Sequence, residues 1–120
     1  IVLFWVSGFD IIYALQDENF DKQFNLHSIP VLLGKNNALH FSRFMHIITA
    51  AIILFIGINY FTNSILFWIA TTLFIGLLIN QHRLVKPDNL SKINLAFFTN
   101  NGIASLIFGS LIVIELITNN

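Results

Sequence analysis

The sequence predicts an all-α protein whose helices form a polytopic transmembrane bundle. Hydrophobic residues make up 56% of the 120 positions, and charged residues only 10%. This is too apolar for a domain whose whole surface faces water. Residues 47–58 and 65–79 contain no charged side chain at all, as is typical of membrane-spanning helices. The formal net charge of zero gives no indication of a nucleic-acid partner.

Hydrophobic runs and helix-breaking residues predict about four helices in this chain. They cover residues 1 to about 19, a segment from after Asn36 or Asn37 to 60, residues 65 to about 85, and about 91 to 117. The apolar part of the first is shorter than the ~20 residues that a membrane span requires. The chain also begins inside a hydrophobic run, without methionine. We therefore expect residues 1–120 to be the C-terminal part of one transmembrane domain.

A polar segment, residues 18–37, joins the first two helices and contains one short apolar stretch. Ser28 is a favourable N-cap, Pro30 suits a first helical turn, and Gly34 suits a helix end. The helix between them is too short to cross a membrane. We expect it to lie at the interface as part of a lid.

The distribution of charge predicts the orientation of the bundle. All the basic residues fall at the end that holds the polar segment: Lys22, Lys35, Arg43, Arg83, Lys86 and Lys92. By the positive-inside rule, this end faces the cytoplasm. At the opposite interface we expect an aromatic belt of Trp5, Tyr60 and Trp68, and a solvated Glu115.

The first helix carries a one-sided stripe of polar side chains. In an α-helix, Asp10, Tyr13, Asp17 and Asp21 share one face because they follow an i, i+3, i+7, i+11 pattern. Asp17 and Asp21 are close enough to share a divalent ion, and their hard carboxylate oxygens favour Mg²⁺. The alternative is an ordinary acidic helix end exposed to solvent.

These residues resemble the UbiA superfamily of intramembrane aromatic prenyltransferases. The resemblance rests on residues 8–17 (GFDIIYALQD), on Phe20 and Asp21, and on residues 26–30 (LHSIP). They are similar to the family's second aspartate-rich motif, in the 4-hydroxybenzoate polyprenyltransferase branch. Residues 96–101 (AFFTNN) resemble a late stretch of the same enzymes. Asn25 stands where that branch usually has glycine, and asparagine tolerates the left-handed backbone better than most residues.

The resemblance implies a nine-helix bundle of which this chain forms roughly the last four helices. It further implies Mg²⁺-dependent transfer of a polyprenyl group from its diphosphate to an aromatic acceptor such as 4-hydroxybenzoate, in quinone biosynthesis at a bacterial inner membrane. Asp10, Tyr13, Asp17 and Asp21 are the expected catalytic residues, and Asp17 and Asp21 the expected metal ligands. A first aspartate motif is absent from these residues, so half of the metal site is expected from an earlier helix.

Four further residues are candidates for substrate binding. Lys22 and Arg83 can neutralise a departing diphosphate, although Arg83 is equally well explained as an arginine that snorkels to the membrane edge. Ser28 and Asn100 are the polar candidates. A structural role, bonding to neighbouring helices, is at least as good an explanation for Asn100.

Other functions stay open at this point. The acceptor can be another aromatic acid of menaquinone synthesis, the protein can be a transporter in which Asp10 relays an ion, or it can be a structural subunit. Mg²⁺-dependent release of diphosphate from a prenyl diphosphate would distinguish a prenyltransferase from a transporter or a structural subunit. The four histidines show no zinc-binding spacing, and we expect them to be interfacial polar residues.

Overall fold

The computed structural model describes residues 1–118. It contains six α-helices, one 3₁₀ turn and one π-helical segment. In chain order these are α1 (Val2–Ala14), the 3₁₀ turn (Leu15–Asp17), α2 (Glu18–Gln23), α3 (Ile29–Leu33), α4 (Lys35–Tyr60), α5 (Ile65–Leu84), the π segment (Leu95–Asn100) and α6 (Asn101–Thr118).

Three helical stretches are long and apolar enough to cross a membrane: Lys35–Tyr60, Ile65–Leu84 and Leu95–Thr118. The prediction of an all-α membrane bundle is therefore confirmed. The 13-residue α1 is the short first helix that the sequence predicted. α4 starts at Lys35, earlier than expected, because the chain turns at Gly34 with a φ of 79°. Glycine adopts this left-handed conformation without steric cost.

The predicted first helix is divided in two. α1 ends at Ala14, and the 3₁₀ turn connects it to α2. A 3₁₀ helix turns by about 120° per residue instead of 100°, so three residues shift the following face by about 60°. Asp17 and Asp21 are therefore not on the continuation of the Asp10 face that an unbroken α-helix would give.

α1 packs closely against α4. The contact centres on Gly8, where an added Cβ atom would overlap the ring of His46. Ser42 Oγ donates a hydrogen bond of 2.6 Å to the Gly8 carbonyl oxygen. Towards the aspartate end, Ile12 and Leu15 are buried in a core. The absence of a side chain at Gly8 therefore allows the two helices to approach closely.

α5 packs against α6 through aromatic rings. Phe74 lies 4.9 Å from Phe108 between ring centroids, and 5.1 Å from Trp5 of α1. Phe74 stands near the middle of α5 (Ile65–Leu84). The expectation that Trp5 joins the far aromatic belt is therefore wrong, because α1 is short and its first turns lie at mid-depth.

At the end of the bundle away from the aspartates, residues 61–64 form the turn that connects α4 to α5. Ser64 caps α5 by accepting a hydrogen bond from the Phe67 amide. Glu115 is only 5% exposed and lines, with residues 59–64, a groove of about 480 Å³. The expectation that Glu115 is solvated is therefore wrong, because the last turns of α6 lie beside this loop.

Candidate functional site

The carboxylates in and near α2 differ in exposure and in ion pairing. Asp10 and Asp17 are exposed and Asp21 is half-buried, and none of the three forms an ion pair with a residue in the described part of the chain. Glu18, between them in sequence, is 5% exposed. The predicted acidic residues thus face outward, and a fourth carboxylate faces the protein.

Glu18 binds two lysines. Its Oε1 lies 2.6 Å from Lys22 Nζ, and its Oε2 lies 3.6 Å from Lys35 Nζ, the first residue of α4. The hydrogen bond from Lys22 holds the pKa of Glu18 below its usual 4.5, against the opposing effect of burial. Glu18 is therefore ionised at neutral pH. Glu18 was not among the site residues predicted from the sequence, although Glu18 and Lys22 have the i, i+4 spacing of a helical ion pair.

Asp10 and Tyr13 contact different parts of the bundle. Asp10 lines a groove of about 520 Å³ whose other walls come from α1, α3 and α4, including Pro30 and Met45. The ring of Tyr13 lies 4.3 Å from that of Phe97 in the π segment. The structure therefore places Tyr13 against a neighbouring helix and Asp10 at the edge of an apolar groove.

The residues predicted to bind substrate are separated. Lys22 stands on α2 with Asp21, paired with Glu18. Arg83 is exposed at the end of α5. Ser28 precedes α3, but its Oγ is buried and has no partner in the described chain. Asn100 is buried, and its Oδ1 accepts a long hydrogen bond of 3.4 Å from Asn80 Nδ2.

A pair of histidines lies inside the bundle where α1, α4 and α5 meet. His46 Nε2 must donate to the Trp5 carbonyl oxygen, 3.2 Å away, because a carbonyl only accepts. In a neutral ring, His46 Nδ1 then accepts from His82 Nε2 at 2.7 Å, and Gln81 Nε2 lies 3.2 Å from the same atom. The expectation of an interfacial histidine is wrong for His46, which is buried against α1. His82 is half-buried in the last turn of α5. The available signal was that His46 directly precedes a long apolar run, where a polar group requires a partner.

Metal ligands are only partly supplied by the described residues. Among residues 1–118, no three His, Cys, Asp or Glu side chains lie together as a metal site requires. Asp17 and Asp21 offer two unpaired groups of hard oxygen donors on one short helix, and such donors suit Mg²⁺. The pair fits part of an Mg²⁺ coordination shell.

Comparison with known proteins identifies the family. The model of the UbiA prenyltransferase family matches residues 1–102. The chain is 29% identical over 111 residues to a 4-hydroxybenzoate octaprenyltransferase from Nitrosomonas europaea, covering 92% of this chain and 37% of that protein. Proteins of the same name from Tolumonas auensis and Aeromonas hydrophila are 27% and 25% identical, each over 92% of the chain and 38% of their own length.

The chain thus spans somewhat more than a third of these relatives. No solved structure matches it. The family match covers the aspartate-bearing segment, α3 and all but the last 18 of the 120 residues. This chain belongs to the UbiA prenyltransferase family.

Proposed function

We propose that the protein transfers a polyprenyl group from polyprenyl diphosphate to an aromatic acceptor such as 4-hydroxybenzoate, as a step of quinone biosynthesis. The observation that carries the proposal is the outward-facing pair Asp17 and Asp21, which has no ion-pair partner among residues 1–118. The pair lies at the end of a membrane bundle. Family membership and the names of the relatives support the same reaction.

Asp17 and Asp21 would hold Mg²⁺. When bound, the ion supplies positive charge that compensates the diphosphate leaving group. The remaining ligands would come from diphosphate, water and side chains outside the described residues. Lys22 is 54% exposed at its side chain and adds a positive charge beside the same helical turn, which favours an anionic substrate there.

Aromatic and apolar side chains next to the acidic face suit the rest of the substrate. Tyr13 and Phe97 present adjoining rings, and ring faces stabilise a cationic carbon centre by cation–π interaction. The groove beside Asp10 is mostly apolar, so it keeps water away from a reactive allylic group. In this proposal Asp10, the carboxylate of the groove, orients the acceptor.

The proposed location is the inner membrane of a bacterium, with the aspartates facing the cytoplasm. The basic residues support this orientation. Lys35 and Arg43 lie in the first turns of α4, Arg83 lies at the end of α5, and Lys86 and Lys92 lie between α5 and the π segment. All are at the same end of the spans as Asp17 and Asp21.

The test is prenyl transfer by the intact protein after removal of each proposed metal ligand. We expect Asp17→Asn and Asp21→Asn to lower Mg²⁺-dependent transfer to 4-hydroxybenzoate by a factor on the order of 100 or more, because charge compensation of the leaving group is lost. Asp88→Asn removes the same charge from an exposed position at the same end of the bundle, and should leave the rate unchanged.

Both prenylated product and released diphosphate should be measured, with 4-hydroxybenzoate and with a hydroxynaphthoic acid. Near wild-type turnover of either variant would remove the metal-site assignment. Transfer to the naphthoic acid alone would show that the acceptor is an aromatic acid of menaquinone synthesis and not 4-hydroxybenzoate.

A further inference from the structure

We propose that Glu18 is a positioning residue, which fixes the orientation of Asp17 and Asp21 by anchoring α2 to the start of α4. The inference rests on the proposed function for the role of the aspartates. Glu18 itself does not touch substrate in this account. It acts on the orientation of the Asp17 and Asp21 carboxylates, which lie before and after it at the start of the same helix.

Beyond the 3₁₀ turn that precedes it and a contact with α3, α2 has little to hold it in place. The helix is six residues long, and Glu18 is its one buried residue in the described chain. Phe20 and Phe24, which could anchor it by apolar burial, are 56% and 58% exposed. A helix of this length is marginal by itself, so its orientation depends on the contact that Glu18 makes.

The two lysines have different roles in this contact. Lys22 is on α2 itself, so its 2.6 Å pair with Glu18 is internal to the helix. Lys35 belongs to α4, so its 3.6 Å pair joins the two elements. The Glu18 side chain is only 6% exposed, unlike the solvated ion pairs that contribute little. Removing Glu18 breaks both pairs, and removing Lys35 leaves Glu18 paired with Lys22 of its own helix, so either change breaks the link between the helices.

Rotation of α2 would move both metal-binding candidates together. Asp17 is the N-cap residue of α2 and Asp21 lies in its first turn. Their spacing is set by the helix, but their direction relative to the bundle is set by whatever fixes the helix. Loss of the Glu18–Lys35 link should therefore weaken divalent-metal binding without changing a single ligand.

The experiment measures Mn²⁺ binding, by electron paramagnetic resonance, to the intact protein in lipid nanodiscs without substrate. Glu18→Gln and Lys35→Met should each weaken binding about tenfold, and the double variant should be no weaker than either single one, because both changes break one contact. Hydrogen exchange should become faster in residues 18–24 and stay unchanged in α5. The matched controls Asp88→Asn and Lys86→Met remove the same charges from the loop after α5, and should change neither measurement.

Unchanged Mn²⁺ affinity in Glu18→Gln, or additive losses in the double variant, would overturn the inference. Faster exchange throughout α4 and α5 would also overturn it, since that shows a general structural role. If Asp17→Asn leaves Mn²⁺ binding intact, there is no site here for Glu18 to position. Prenyl transfer is measured separately, so an inactive wild type would refute the proposed function while the binding and exchange data still decide the role of Glu18.

Discussion

The α1–α4 pair and the α5–α6 pair are held together in different ways. At the first interface, polar side chains of α4 donate to backbone carbonyls of α1, Ser42 to Gly8 at 2.6 Å and His46 to Trp5 at 3.2 Å. At the second, the rings of Phe74 and Phe108 make the contact. Asn101, in the first turn of α6, is buried with neither amide atom bonded to a described residue.

The two interfaces differ in how strongly they fix the position of one helix along the axis of the other. A hydrogen bond to a particular carbonyl is lost when one helix slides along the other, whereas ring contacts tolerate small shifts. The pair that carries the aspartates therefore has its depth fixed by directional bonds. The unpaired Asn101 amide at the start of α6 costs free energy unless a group outside the described residues bonds to it.

The largest expected effect is at the glycine contact. Gly8→Ala should lower the free energy of unfolding by about 1–3 kcal/mol, because the new methyl group overlaps the His46 ring, which hydrogen bonds hold in place. Gly109→Ala in α6 is the matched control. Apart from its chain neighbours and the backbone of α6 itself, no described atom lies within 4 Å of its added Cβ. Because alanine has a higher helix propensity than glycine, this variant should be as stable as the wild type or slightly more stable.

These changes can be followed by unfolding of the intact protein in mixed micelles with increasing sodium dodecyl sulfate. Equal midpoints for Gly8→Ala and Gly109→Ala would show that the α1–α4 contact is not as close as described.

A smaller effect is expected from the polar bond itself. Ser42→Ala removes the hydrogen bond to Gly8 and should cost about 1 kcal/mol. Thr71→Val in α5 removes a buried hydroxyl that has no partner in the described chain, so the same measurement should show no loss. A larger loss for Thr71→Val than for Ser42→Ala would reverse the comparison between the two interfaces.

The smallest effect is expected at Asn101. Asn101→Leu should leave the free energy of unfolding within about 0.5 kcal/mol of wild type, or raise it, because it replaces an unpaired buried amide by an apolar side chain. Thermal unfolding in detergent measures this directly. A loss of more than about 1 kcal/mol would mean that Asn101 bonds to a residue outside 1–118, and that α6 also has a directional polar contact in the intact protein.

Elements governed by local chemistry were predictable from the sequence. The short helix with Pro30 in its first turn and Gly34 at its end was predicted from residue preferences and is confirmed at Ile29–Leu33, although the Ser28 side chain makes no capping hydrogen bond. The apolar spans were predicted from length and composition and are confirmed. Asn25 has a φ of 54°, as expected for a residue that replaces glycine in a turn.

Elements governed by contacts across the bundle were not predictable. The change from α-helix to 3₁₀ turn at Leu15–Asp17 is not marked by a proline or a glycine in the sequence. His46 and His82 are separated by 36 residues, and their pairing depends on how α4 and α5 pack. Glu18 was overlooked because it does not share the helical face predicted for Asp10, Tyr13, Asp17 and Asp21. The roles of Asp10, Tyr13, Asp17 and Asp21 remain predictions.

The π segment at Leu95–Asn100 lets the last span accommodate one additional residue. A π turn holds one residue more than an α turn of the same rise, so deleting one residue there permits a regular α-helix. The residues on either side of the deletion then keep their relative orientation, because the α turn completes the same rotation with one residue fewer, and Phe108 stays near Phe74. Homologous chains can therefore lose one position in this segment without rotating the last span, whereas a deletion within the regular part of α6 would turn everything after it by about 100°.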